Sequence, residues 1–503
     1  MKTKINILIL AIVSALVFVN TLKNSFMWDD AGLIDMISDE KYQQHLRNPF
    51  FFLTLSYWKE YRSFHDVDAY VPVAPMRTLS LAIDYKIWKR NPFGWHLTNM
   101  ILNTINVLLV YSLALFLFNR LPITDYRLPF FVGLLFATHP MHTESVAWMK
   151  NRVDLIASMF FILSLLLFFR VDATFRLGVR GLKSAATIIG SVFFFILALL
   201  SKEIAVTLPA ILVLYVLCFV QKDIKKKGLI LTIPYWVIAF LYVYITQFVV
   251  KRGFGIPAAH RIGLDLYSNI LLVFKTLAYY IKLLVLPFSF NAERTIEIPK
   301  FMIETYTWLS VLVVIGVISL GIYIFYQHKD LMLIPFCIFW FFITISPVSN
   351  IIYLAPREIA EQRLYLPSVG FCMLLGWGIF KIFEKLEIHN PIKIPFGVGG
   401  LFILMIVVVY SVFTIKRNFD WRDEIIFWTK TTQASPKHPR AWVNLGEAYL
   451  IRNELEKAKL NFEKALEVAP GFPLAHRGLG FLYFKMGDAE KAIKHFQQAG
   501  DIE

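Results

Sequence analysis

The chain has 503 residues, of which 57% are hydrophobic and 17% charged, and its mean hydropathy is +0.57. A soluble globule carries about 25% charged residues, so this composition excludes one and describes an integral membrane protein. Residues 416–503 hold 14 Lys+Arg and 12 Asp+Glu, leaving 37 and 24 for the first 415, so the net charge of +15 divides into +2 for a tail and +13 for a membrane body. The basic excess of the body lies in loops between apolar spans, where it reads as topology and contact with membrane lipids, not as a nucleic-acid surface. Cys218, Cys337 and Cys372 all sit in apolar runs without paired spacing and give no redox information.

Residues 5–22 form a first apolar span after Lys2 and Lys4, with no small-residue cleavage site behind it. Further spans are predicted at 97–118, 128–138, 153–170, 184–200, 204–220, 228–250, 306–326, 331–349, 364–383 and 394–415, which makes eleven. The basic connections 120–127, 170–183 and 221–227 fall in the cytoplasm by the positive-inside rule, placing the first loop and the HPMHTESVAW segment outside. Segment 265–286 is long enough to span but carries Lys275 near its middle, where a lipid-facing lysine costs about 2.5–3.5 kcal/mol. A re-entrant or interfacial position for it gives eleven crossings and an external tail; a crossing turns the tail inward.

The tail repeats itself at an offset of 34: Leu445 with Leu479, Gly446 with Gly480, Tyr449 with Tyr483, Ala458 with Ala492, Phe462 with Phe496 and Ala465 with Ala499. That is the tetratricopeptide period and pattern. Stepping back from Phe462 and Pro470 reaches Trp428 and Pro436, so residues 421–434 read as the second helix of a degenerate leading repeat. So short an array is expected to lean on the membrane body and to offer a concave surface to a protein or peptide. The domains expected are a transmembrane module at 1–415 with its first external loop at 23–96, a connector at 416–438, and two repeats at 439–503.

Chemistry is sought among the external polar residues. The first loop opens with Phe26-Met27-Trp28-Asp29-Asp30; adjacent carboxylates repel, and burial raises the pKa of at least one, which suits a general base or a metal ligand. Equally, Asp29 or Asp30 could cap the helix that follows. His139, His142 and Glu144, with Arg152 and Asp154 just beyond, gather at the end of a span where Pro140 stops the helix, as a metal or phosphate site or as a structural hydrogen-bond network. Lys202-Glu203 sits in a very short external turn, where charges line cavities or simply face water. Arg252, His260 and Arg261 fill one external loop and Arg357, Glu358, Glu361 and Arg363 another. External arginines run against the positive-inside trend, and guanidinium forks grip phosphate.

In this order, FMWDD, NPFGWHLTNMILNTINVLL, HPMHTESVAWMKNRVDLIA, SKEIAVTLPAIL, EQRLYLPSVGFC and the repeats resemble the transmembrane and tetratricopeptide-repeat O-mannosyltransferase (TMTC) family and its bacterial relatives in the GT-C glycosyltransferase superfamily. Pro75-Met76-Arg77-Thr78-Leu79 departs from the Tyr-Arg-Pro-Leu-like segment of that family, and the repeat array is short. The resemblance implies an all-α, polytopic helical bundle of GT-C type with a C-terminal α-solenoid. It implies transfer of a sugar, mannose in that family, from a polyprenyl-phosphate donor to a hydroxyl of a protein acceptor. By similarity a first-loop aspartate is the base, Asp29 ahead of Asp30, with Glu144 beside it. Arg363 with Lys202, Arg252 or Arg261 would hold the donor phosphate. His139, His142, Arg152, Glu203 and Glu361 would complete the pocket or hold a divalent ion, Mg or Mn. The compact length favours a bacterial inner membrane with a periplasmic site over the ER membrane. A transporter and a non-catalytic scaffold are the competing readings; deletion of residues 421–503 is expected to separate scaffold from enzyme.

Overall fold

The computed structural model describes residues 2–45, 74–121, 127–176, 182–249, 265–294, 306–351, 359–387 and 397–500, with scattered residues of 48–57 and 296–304. It is all-helical. The body is built from α1 (Lys2–Phe18), α2 (Asp30–Ser38), α3 (Pro75–Trp88), α4 (Pro92–Phe118), α5 (Leu128–Thr138), α6 (Arg152–Arg176), α7 (Leu182–Leu199), α8 (Leu208–Phe219), α9 (Ile233–Tyr244), α10 (Leu266–Val285), α11 (Thr307–Gln327), α12 (Leu333–Ile345), α13 (Ser368–Glu387) and α14 (Gly397–Asp420). The tail adds α15 (Glu424–Ala434), α16 (Pro439–Ile451), α17 (Leu455–Val468), α18 (Pro473–Met486) and α19 (Ala489–Ala499). Proline within the first two positions of α3, α4, α5, α8, α16 and α18 starts each helix where an amide donor is dispensable.

Seven helices are long and apolar enough to cross a membrane and four shorter ones are apolar; with α13 that makes twelve among the described residues. This is a multi-pass membrane protein. Large apolar side chains face outward to lipid, Phe240 and Ile189 among them, while small and polar ones join the helices inside. Ser164 and Ser191 exchange hydrogen bonds with each other's carbonyls at 2.7 Å, and Tyr235 donates to Ser191 Oγ at 2.6 Å, so α6, α7 and α9 are tied through polar contacts in an apolar medium.

The crossings can be followed from side to side. Asn20 Nδ2 donates to Ile415 O at 3.1 Å and the Ser25 amide to Arg422 O at 3.3 Å, so the C-terminal ends of α1 and α14 lie together on one face. Helix α10 is itself long and apolar enough to cross. Three successive turns of its inward face meet the ends of other elements: Asn350 donates to Thr276 Oγ1 at 3.4 Å, Ala360 N and Arg363 to Tyr280 Oη at 3.2 and 3.4 Å, and the His139 ring lies 3.3 Å from Leu284 O. Its outer face, with Leu266, Tyr267 and Ile270, is exposed.

The tail leans on the body through a buried cluster in which Trp421, Phe427, Trp428, Leu445 and Ala448 pack on Met27, Ala147, Trp148 and Ala292. In the repeats, Phe462 lies between two glycines: a Cβ on Gly446 or Gly478 would come within 2.7 or 2.4 Å of its ring. Helices α16, α17 and α18 can close around that ring only where those positions have no side chain.

Candidate functional site

The aspartate pair follows the first membrane helix directly, and a left-handed residue sets its direction. Trp28 has φ of 54°, unusual for a bulky side chain. Its ring stacks on Trp148 at 4.6 Å and meets Trp428 edge-on at 4.8 Å, and its amide donates to Glu424 Oε1. The turn sends the two carboxylates apart. Asp30 is wholly buried, with Oδ2 accepting from Met27 N and Oδ1 from Lys150 N, each at 3.1 Å. Burial pushes its carboxyl up to about 7, against the pull of the two amides and Lys150. Asp29 stands at the N-cap of α2 without capping it; its carboxylate is 41% exposed and pairs with Lys150 Nζ.

The segment from His139 to Asn151 folds as short helical turns and is almost entirely buried. His139 accepts from Met141 N at 3.3 Å through Nδ1 while Nε2 faces Leu284 O, and His142 Nε2 sits 2.8 Å from Ser368 Oγ. Burial keeps both imidazoles neutral, lowering His139 to about 4 and His142 well below its ordinary value. Glu144 faces Gln362, whose backbone amide donates to Oε2 at 3.2 Å and whose side-chain amide, with its nitrogen turned to the carboxylate, would donate to both oxygens. With these partners the three residues do not fit a Mg or Mn ion, and no three His, Cys, Asp or Glu side chains among the described residues are grouped to hold a metal.

Arg152 is a strut. It is fully buried, with Nη2 2.6 Å from Asp84 and 2.9 Å from Trp95 O, Nε 2.6 Å from Asn99 Oδ1, and Nη1 3.1 Å from Ser80 Oγ. Lys202 Nζ pairs with Asp154 at 2.6 Å, and Glu203 opens the helical turn beside it. Arg363 is buried, donating to Tyr280 Oη and to Val348 O at 3.2 Å. Glu361 anchors a buried ion network, 2.8 Å from Arg294 and 3.2 Å from Arg417, with the Asn291 amide at 2.8 Å. Burial would raise its carboxyl, but Arg417 and Arg294 hold it below the usual range. Arg252 and Arg261 lie outside the described residues, as do His260, Arg357 and Glu358.

Most of the remaining acidic and basic candidates therefore form two linked sets. One joins Asp29, Asp30 and Lys150 to Arg152 and Asp84, since Arg152 feels the charge of both Asp30 and Asp84. The other runs from Lys202 and Asp154 through Glu144 to Arg417 and Glu361, because Glu144 acts electrostatically on both Asp154 and Arg417. Sequence reasoning missed Lys150, Arg294, Arg417 and Glu424. Lys150 had a signal, being a second cation two residues before Arg152 in the WMKNR stretch; Arg417 resembled an ordinary basic residue flanking a span.

Tetratricopeptide-repeat family models match residues 439–472 and 478–502. Over 502 aligned residues the chain is 25% identical to Protein O-mannosyl-transferase TMTC3 of Mus musculus, covering 92% of this chain and 50% of that protein. It is 23% identical to Protein O-mannosyl-transferase TMTC2 of Homo sapiens, covering 89% and 60%, and 24% identical to Protein O-mannosyl-transferase F38B6.6 of Caenorhabditis elegans, covering 92% and 62%. The chain thus spans about half the length of the TMTC3 relatives it matches. Among solved structures it is similar to the archaeal oligosaccharyltransferase AglB from Archaeoglobus fulgidus in complex with an inhibitory peptide and a dolichol-phosphate, at 13% identity and a TM-score of 0.40, over 88% of this chain and 57% of that one.

Proposed function

We propose that the protein is a membrane glycosyltransferase that moves a sugar from a polyprenyl-phosphate carrier to a hydroxyl of a protein acceptor on the external face, periplasmic in a bacterial inner membrane or luminal in the ER membrane. The observation that carries this is the aspartate turn, where a solvent-accessible Asp29 is fixed by Lys150 and backed by a buried Asp30, in a chain similar along most of its length to protein O-mannosyl-transferases. The acceptor oxygen attacks the anomeric carbon, Asp29 takes the hydroxyl proton, and the bond from that carbon to the phosphate oxygen breaks, leaving the pair on the lipid phosphate.

Asp29 suits the base better than Asp30 because a base must come within hydrogen-bond reach of its substrate, and Asp30 spends both oxygens on backbone amides. Asp30 instead holds the turn. The leaving phosphate needs cations nearby. Arg363 is the first choice, as a buried guanidinium set beside Tyr280 and Val348; Arg252 or Arg261 would serve as further donors, and Lys202 by sharing itself with Asp154. Glu144, Glu203, Glu361, His139, His142 and Arg152 shape and brace the pocket. Purified protein given a polyprenyl-phosphate mannose and a threonine peptide is expected to form the glycoside. Asp29→Asn should lower the rate about a hundredfold or more without loss of fold. Full activity of that variant overturns Asp29 as the base; no transfer from any polyprenyl-phosphate sugar overturns the function.

A further inference from the structure

The segment that leads from the first membrane helix to Asp29 has no helix of its own: residues 24–27 run as irregular chain. The partners that hold it come from the other end of the protein. The Ser25 amide donates to Arg422 O at 3.3 Å and the Ser25 hydroxyl to the same oxygen at 3.0 Å. Three residues on, the Trp28 amide donates to Glu424 Oε1 at 2.5 Å. The approach to the aspartate pair is therefore laid along residues 422–424, where the tail begins.

Glu424 is available for this because the helix it opens does not need it. A carboxylate at the start of a helix ordinarily serves the amides there, but Asp423 does so already, its Oδ1 accepting from Ile425 N at 3.0 Å and from Ile426 N at 3.4 Å. The other oxygen of Asp423 pairs with Arg452, at the end of α16. Glu424 turns instead to an amide of the body. A hydrogen bond to a carboxylate is roughly twice as strong as one between neutral groups, and this one falls on the residue with most need of it. Trp28 is left-handed, with φ of 54°, a conformation that a bulky residue keeps only where its surroundings hold it.

These contacts bracket Asp29. On one side Asp30 is pinned by the amides of Met27 and Lys150, each at 3.1 Å; on the other Trp28 is pinned by Glu424. We propose that Glu424 is a positioning residue for the base, acting through the Trp28 amide to keep Asp29 on Lys150 and turned to the acceptor. This rests on the transferase reading above. Without Glu424, Trp28 relaxes toward negative φ, and the peptide that joins it to Asp29 swings while Asp30 stays. Arg452, Asp423, Glu424 and Trp28 form one line of contacts from the first repeat to the base, so Asp29 is set only while the tail is seated on the body.

The test compares Glu424→Leu, which removes the acceptor, with Glu424→Gln, which keeps a neutral oxygen in its place, both in the full chain in detergent. Transfer from a polyprenyl-phosphate mannose to a threonine peptide gives kcat and KM, and fluorine NMR of protein carrying 5-fluorotryptophan follows Trp28, whose resonance is the one lost in Trp28→Phe. A misplacement of about 1 Å costs about a hundredfold in rate. Glu424→Leu is expected to lower kcat about tenfold or more with KM unchanged and to move the Trp28 resonance, whereas Glu424→Gln should hold kcat within about threefold of the wild type and return the resonance. Ser435→Ala removes a different tie between tail and body, the 2.6 Å bond from Asn291 Nδ2, and should change neither. Wild-type kcat in Glu424→Leu, no recovery in Glu424→Gln, or an equal loss in Ser435→Ala overturns the positioning role. If the wild type transfers no sugar, the transferase reading falls by itself; a Trp28 resonance that Leu moves and Gln returns then keeps the hold of Glu424 on the turn, and an unmoved one overturns it.

Discussion

Replacing Asp30 with Asn tests the aspartate turn through its proton. A carboxyl raised from 3.8 to about 7 in the folded chain is held there mainly in its neutral form, so folding binds a proton that the unfolded chain releases. The stability this contributes is fully present below pH 4 and is lost as pH rises through 7. A shift of about three units corresponds to roughly 4 kcal/mol between the ends of that window, an upper figure because the buried site can relax. Asparagine does not ionise, but its Nδ2 cannot accept from the second of the two backbone amides, so the variant carries a loss that is the same at every pH. From pH 4 to pH 8 the wild type should therefore lose several degrees of unfolding temperature relative to Asp30→Asn, whatever the constant offset between the two proteins. Thermal unfolding in detergent, followed by tryptophan fluorescence, has natural reporters in Trp148 and Trp428, whose rings both meet Trp28 in the turn. The same ionisation gives Asp30 its second full acceptor for Lys150 N, so transfer in the wild type should gain as pH rises through 7. Parallel unfolding curves of the two proteins from pH 5 to pH 8 would refute both the burial of Asp30 and its role in holding Asp29.

Two other outcomes follow from the same contacts. Glu361→Gln leaves Arg294 and Arg417 facing a neutral amide in a buried site; breaking such a network costs about 3–5 kcal/mol, so the variant should show a much lower unfolding temperature or fail to accumulate in the membrane, and wild-type stability would show that water reaches these arginines. For topology, Lys457→Cys in the exposed tail and Asp39→Cys in the first loop should react with a membrane-impermeant maleimide on the same side, whereas Lys226→Cys in the basic connection after α8 should react only once the membrane is opened. Labelling of Lys457→Cys together with Lys226→Cys would put the tail in the cytoplasm and undo the eleven crossings expected from the sequence.

Some of the architecture was legible because one short stretch carries its whole cause. The 34-residue offset pairs Phe462 with Phe496 and Gly446 with Gly480, and the ring-against-glycine packing follows from those types alone. Lys275 raised the question of how segment 265–286 lies; the helix there is long and apolar enough to cross, and its Thr276, Tyr280 and Leu284 meet Asn350, Ala360 and His139 from distant segments. Illegible were features assembled from distant segments. Arg152 looked available beside the histidines, but Asp84, from a helix about seventy positions earlier, claims it. Glu361 looked like a loop acid among arginines, yet its partners come from residue 294 and from the last membrane helix. No local periodicity marks such pairs, because each residue is an ordinary polar side chain until the fold supplies the other.

The connector changes what a deletion can prove. Residues 416–438 read as a link between an enzyme body and a separable tail, so removal of 421–503 was expected to leave an enzyme active on small acceptors. But Trp421 and Trp428 pack on Met27 and Trp148, and Glu424 receives the Trp28 amide. Cutting at 421 withdraws the edge-on ring and the acceptor that keep a bulky residue left-handed, and that turn alone aims Asp29 and Asp30. An inactive truncation would then be the common outcome of an enzyme and of a scaffold. The boundary that separates them lies farther along, after Phe427, Trp428, Leu445 and Ala448 have been kept against the body. Point changes in α18 and α19 fall beyond it, and for that reason they, and not the deletion, divide the tail's own part from the chemistry.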